Sequence, residues 1–181
     1  MAQVPGPPRT PRGSRPGRPA GGVVAVQICS LIVAEPQVIP PGGYRVVRFP
    51  FGTAESYDAL GMHQVVQPDG YRIKNWRTDD RAGLIWPSVG GWGALTAMIQ
   101  WEAGGYGELR DRFVRDPLGL STGRDSTATD HRPPSRGMQC FTKHHEIFVH
   151  PQTPLALMVS HTSGSSVRLV LAEFKLAIHQ V

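Results

Sequence analysis

From Val23 onward the apolar residues come in short runs separated by glycine and proline, the pattern of an all-β sandwich or barrel. VVAVQICSLIV (23–33) reads as a buried strand stopped by Pro36, Pro40 and Pro41. Gly42-Gly43 releases a second strand, YRVVRFPF (44–51), whose Pro50 places it at a sheet edge or a strand end. Residues 52–91 are rich in turn signals and leave room only for short strands near 62–67, 71–76 and 83–86.

The strongest segment is WGALTAMIQWE (92–102), where Leu95, Ala97, Ile99 and Trp101 alternate with Ala94, Thr96, Met98 and Gln100. One face belongs to the core, and the second is so mildly polar that it too is expected to be covered. In YGELRDRFVRD (106–116), Leu109, Asp111 and Phe113 share one phase, which predicts a half-exposed strand with Arg110 and Arg112 outward. A long polar loop, 117–137, is expected next, of a length usually given to partner contact. Three strands close the chain, at 138–149, 154–161 and 166–178, the last two joined by a Thr162–Ser165 hairpin. In the final strand the apolar phase passes from Val167, Leu169 and Leu171 to Phe174, Leu176 and Ile178, so a bulge is predicted near Ala172-Glu173.

Composition agrees with that reading and adds an appendage. The 181 residues, 40% apolar and 18% charged, suit one domain with a core, and 21 Gly with 17 Pro argue against a helical bundle. Residues 1–22 hold six Pro, five Gly and four arginines, Arg9, Arg12, Arg15 and Arg18, without an acid. They cannot build a core. The sequence therefore divides into a basic extended, non-globular N-terminal arm, 1–22, and a β-sandwich domain, 23–181. In polyproline II geometry, with three residues per turn, the four arginines form one cationic rail about 9 Å apart, suited to a groove lined by acids or phosphates. The arm carries +4 of the net +5, so the body is close to neutral and lacks the basic footprint of a nucleic-acid-binding domain. No apolar run reaches the ~20 residues of a membrane helix, and no signal-peptide segment precedes the Pro/Arg stretch. Neither membrane insertion nor secretion by that route is expected.

No residue set announces chemistry. Cys29 and Cys140 match no metal spacing, and read either as buried apolar-like thiols or as one disulfide. His144, Glu146 and His150 share one face of a strand, but the two histidines lie about 20 Å apart along it, too far for one metal ion. His144 with Glu146 would need a third ligand from elsewhere, and surface or interface histidines are the plainer reading. Asp79-Asp80 and Asp125/Asp130 do not follow a calcium-loop pattern. There is no G-x-S-x-G nucleophile turn and no phosphate-binding loop. Neither a cofactor nor a metal is expected, and the chain does not read as an enzyme. The tryptophans 76, 86, 92 and 101 read as core or interface residues, with Trp76 the exposed one. The candidate ligand or interface contacts are Trp76 and Arg77 in 52–91, and Arg124, Asp125, His131 and Arg132 in 117–137.

GLIWPSVGGWGALTAMIQWE (83–102) resembles the "aliphatic-x-x-Pro-x-x-Gly-x-aromatic" element of complement-type globular heads, relatives of the tumour-necrosis-factor jelly roll. VVRFPFGTAESYD (46–58) is similar to their early strand and Tyr-Asp turn, and 147–178 to their closing meander. Trp92 stands where that family more often has Tyr or Phe. The resemblance implies a jelly-roll β-sandwich and a homotrimer. DRFVRDPLG (111–119), DSTATDHRPP (125–134) and LAEFKLAI (171–178) also resemble small virion proteins of tailed bacteriophages of actinobacteria. That second likeness implies a structural tail or head accessory protein, made in the host cytoplasm, located in the virion and anchored to other virion proteins through 1–22. The alternative is an adhesin whose loops 52–91 and 117–137 contact a host surface glycan.

Overall fold

The computed structural model describes residues 25–121, 125–133 and 135–180. The rail of Arg9, Arg12, Arg15 and Arg18, and also Arg124, lie outside the described residues. Among the described residues, eleven strands form two antiparallel sheets: β1 (Gln27–Val33), β2 (Gln37–Ile39), β3 (Arg45–Val46), β4 (Glu55–Tyr57), β5 (Leu84–Ile85), β6 (Gly91–Trp101), β7 (Leu109–Arg115), β8 (Asp125–Arg132), β9 (Gln139–Val149), β10 (Leu155–His161) and β11 (Val167–His179). The six-stranded sheet runs β4-β1-β11-β6-β9, with β2 also on β11, and the five-stranded sheet runs β3-β10-β7-β8, with β5 also on β10. The expected jelly-roll sandwich is what forms, and the described residues contain no α-helix.

Strand alternation puts Cys29 and Leu31 of β1, Leu95, Ile99 and Trp101 of β6, Phe113 of β7, Leu157 of β10 and Phe174 of β11 into one core between the sheets. Phe113 and Phe174 stack across it with centroids 5.7 Å apart. Each large side chain contributes about 1.5–3 kcal/mol on leaving water. Burial pushes the Cys29 thiol far above its ordinary value, with Asp58 and Glu55 adding to the shift. Cys140 stands exposed on the opposite side of the same sheet, paired in register with Gln100, so the two cysteines are free thiols and only one is buried.

Four expectations are corrected. The 44–51 segment pairs as a strand only at Arg45–Val46, although Val47 N still donates to Leu157 O (2.9 Å) and Phe49 N to Ala82 O (3.0 Å) before Pro50 ends the run. Strands near 62–67 and 71–76 reduce to one bridge, Val66 with Arg72, around the Pro68-Asp69-Gly70 turn. The segment is held instead by side chains, among them buried His63, which meets Glu55 Oε1 (2.5 Å) and Ala82 O (3.0 Å) and stacks on Phe51 at 4.3 Å. The long loop contains β8, an edge strand in DSTATDHR whose polar composition shows no apolar alternation. Its register on β7 slips between Arg112 and Phe113, leaving Ala128 unpaired with φ 41°, an edge bulge. The phase change in β11 is present, but its bulge lies at Val170, since Leu169 pairs with Trp101 and Leu171 with Gln100.

Past β7 the chain turns through Asp116, a fully buried carboxylate with φ 55°. It accepts hydrogen bonds from Leu120 N (2.9 Å), Ser121 N (2.7 Å) and Ser121 Oγ (2.7 Å). Burial alone would raise its pKa, but the bonds from Ser121, Leu120 and Gly119 prevail and hold it below the ordinary carboxylate value. A depressed folded-state pKa gives stability that is present above the unfolded carboxylate range and is lost as pH falls through the folded value. Asp116→Asn keeps a residue tolerant of positive φ and removes the charge. Chemical denaturation at neutral pH is expected to show a loss of about 2 kcal/mol, and the difference from wild type should shrink as pH is lowered below about 4.

Candidate functional site

The outer faces of the two sheets differ in how they are covered. On the five-stranded sheet, Val46, Leu84, Trp86 and Ala156 form a small core of their own, closed by Leu118 and Met158. Arg112 lies 3.8 Å over the Tyr44 ring beside it. That face covers itself.

The six-stranded sheet has no such cover among the described residues. In register on its outer face stand Ile28, Ser30 and Ile32 of β1, Tyr57 of β4, Leu171, Lys175 and Ala177 of β11, Trp92, Ala94 and Met98 of β6, and Phe148 of β9. Trp92, directly opposite Phe148 and His179, is 43% exposed, and Val26, Ile28, Ile32, Tyr57, Leu60 and Phe148 are exposed with it. Between β1 and the turn after β4, Val26, Ile28, Tyr57 and Leu60 line a groove of about 250 Å³. The second face of β6, expected to be covered, has no cover from the described residues of this chain. Trp92, rather than Trp76, is the exposed tryptophan.

Polar side chains share this face: Thr96 and Gln100 of β6, Glu173, Lys175 and His179 of β11, and Thr142, His144 and Glu146 of β9 stand in register on it, and several of them pair with one another. Trp92 Nε1 donates to Glu146 Oε2 (2.8 Å), and His144 Nε2 lies 3.6 Å from the same carboxylate. The Trp92 bond is the main reason that Glu146 titrates below its ordinary range. Lys175 pairs with Glu173 at 2.5 Å. Among the described residues no three His, Cys, Asp or Glu side chains gather as a metal-binding group.

The sequence-derived contact residues fall in two separate places. Trp76 is half-buried against the core, and Arg77 sits 4.8 Å over its ring while gripping Glu35 through two bonds of 2.8 and 3.0 Å. With Arg48, Pro36 and Gln37 they line a cavity of about 210 Å³ beside β2. The other set lies on β8, at the edge of the five-stranded sheet. His131 Nδ1 meets Glu108 (2.7 Å), while Arg132 turns inward to Asp111 (2.8 Å) and Asp130 (3.4 Å). Asp125 opens β8 opposite Arg115. Arg77 and Arg132 are therefore engaged within the chain. The row Val26, Ile28, Ile32, Trp92 and Phe148 was missed by sequence reasoning, although β1 being apolar at both odd and even positions carried the signal.

This strand order is that of a jelly-roll sandwich, similar in fold to complement C1q and tumour-necrosis-factor domains. Similar solved structures are the globular domain of zebrafish complement 1qA protein (TM-score 0.57, 11% identity, 85% of this chain and 97% of that one) and the Eiger tumour-necrosis factor of S. frugiperda (TM-score 0.53, 11% identity, 84% and 92%). Murine APRIL is a third (TM-score 0.52, 8% identity, 84% and 99%). No protein-family profile and no curated protein sequence matches the chain. The likeness is one of fold.

Proposed function

We propose that this chain is a self-associating architectural protein without enzymatic activity: a trimeric jelly-roll component of a tailed-phage virion, in its tail or as a head accessory, tethered to other particle proteins by its basic arm. The observation that carries self-association is the uncovered apolar row across the outer face of the six-stranded sheet, centred on Trp92 and Phe148. Exposed aromatic side chains are the usual anchors of protein–protein contacts, and the charged groups around these two are largely paired with one another. A second and a third copy of this chain are the occupants that the fold likeness favours. The virion assignment is supported by the resemblance of 111–119, 125–134 and 171–178 to phage virion proteins and by the composition of 1–22. Arginines on a proline-stiffened rail lose less freedom on docking than they would on a flexible chain.

Removal of residues 1–22 tests the division of labour. The truncated protein is expected to remain folded and self-associated by light scattering, and to be absent from particles assembled with it in place of the full chain. Incorporation at normal occupancy would reject the tether. A specific hit on a glycan array would instead give the leading role to the loops 52–91 and 117–137.

A further inference from the structure

One pair of ionisable side chains lies inside the sandwich, at the head of a cluster that reaches the surface through Asp130. Lys143 of β9 and Asp111 of β7 face each other between the two sheets, their side chains only 1% and 3% exposed. Nζ is 3.0 Å from Asp111 Oδ1, an oxygen that makes no aligned hydrogen bond. The lysine also contacts Asp130 Oδ2 of β8, a carboxylate whose side chain is 46% exposed. Arg132 Nε holds the other Asp111 oxygen at 2.8 Å. Phe113 lies 5.6 Å from Nζ, and the Arg132 guanidinium lies 4.6 Å over Phe141. A buried amine, a buried carboxyl in contact with it, a second carboxylate touching the amine, and aromatic rings packed beside them are the parts that amide formation between side chains requires.

We infer that Lys143 and Asp111 become joined by an intramolecular isopeptide bond, with Asp130 carrying the proton and Arg132 steadying the charge. A proton passes from the Lys143 ammonium to Oδ1 of Asp111, across the 3.0 Å between them, leaving a neutral amine and a neutral carboxyl. The Nζ lone pair attacks Cγ of Asp111, and the negative charge that develops on Oδ2 is met by Arg132. Asp130 takes a proton from the nitrogen and returns it to Oδ1, which leaves as water past the half-exposed Asp130 side chain. One ammonium and one carboxylate thus become one amide and one water, with no oxidant or co-reactant. Reacting atoms held at contact distance in a fixed frame supply the effective concentration that free side chains lack. The product ties β9, at the edge of the six-stranded sheet, to β7 of the other sheet, closing the sandwich where no strand pairing joins the two.

The test is the intact mass of the denatured full-length protein. Most wild-type chains are expected to weigh less than the sequence mass by one water molecule. Trypsin should then fail to cut after Lys143, and the uncut peptide should carry Asp111-Arg112 as a branch. Lys143→Arg should restore the full mass, and Asp130→Asn, with both reacting residues still present, should leave most chains unlinked. Wild-type protein at its full sequence mass after prolonged incubation at neutral pH would overturn the proposal, whatever the variants do. A branch beginning at Asp125 would overturn the choice of Asp111.

Discussion

Trp92→Glu is expected to reduce the protein from its self-associated form to a monomer of 19.7 kDa by light scattering, with an unchanged far-ultraviolet circular dichroism spectrum. Trp92 is 43% exposed in the single chain, and its outward position on β6 places no atom in the core, so folding does not depend on the ring. Association does. The substitution removes an aromatic anchor and puts a carboxylate beside Glu146, which already holds its charge there by the bond from the Trp92 indole. Two like charges desolvated in one interface, added to the lost anchor, cost about 4 kcal/mol per contact, or roughly three orders of magnitude in affinity. Leu120→Glu is the matched control, because Leu120 is as exposed but lies by Trp86 and Gln152 on the other side of the sandwich. It should leave the mass unchanged. Equal dissociation by both variants would move the interface away from the six-stranded sheet.

The sandwich was legible where alternation was strong. The segments read at 92–102, 138–149, 154–161 and 166–178 appear as β6, β9, β10 and β11 within one or two residues, because each buries at least one face and pairs on both sides or against a long partner. β8 was not legible, since an edge strand made of Asp, Ser, Thr, His and Arg buries too little apolar surface to leave a pattern. The segment 52–83 was illegible for another reason: it is ordered by His63, Arg81 and Gln67 bonding to distant backbone and side chains and by Asp58 accepting from the nearby Met62 and His63 backbone, and such pairings have no period. The buried ion cluster was half visible. Asp111 shares its phase with Leu109 and Phe113, which placed a carboxylate on a core face, but the partner that makes this tolerable, Lys143, is 32 positions away. The candidate contacts failed in the opposite direction. Arg77 and Arg132 look free in sequence because loops usually expose their charges, yet both are held, by Glu35 and by Asp111.

Gly83→Ala is expected to be the most destabilising small substitution among the described glycines, at about 3–5 kcal/mol by chemical denaturation, a large part of the 5–15 kcal/mol that holds a domain of this size. Gly83 ends the short 3₁₀ turn Asp80–Gly83 that feeds β5, and it packs directly on the chain leaving β3. A methyl group there would lie 2.0 Å from Val47 O and 2.4 Å from Val46 Cγ1. Backbone cannot yield as a side chain can, so either the turn or the Val46–Phe49 segment must move. Moving that segment strains Val47 N to Leu157 O (2.9 Å), which holds it to β10, and Phe49 N to Ala82 O (3.0 Å), which holds it to the turn itself. It also shifts Ala82 O, the acceptor that seats buried His63, and with it the segment that His63 holds in place. Gly105→Ala isolates the steric cause. A Cβ at Gly105 meets nothing within 4 Å, and the same chemical change there is expected to fall within about 0.5 kcal/mol of wild type. A Gly83→Ala protein as stable as Gly105→Ala would mean that the turn and the strand do not pack at this distance, and that β5 docks on β10 by some other approach.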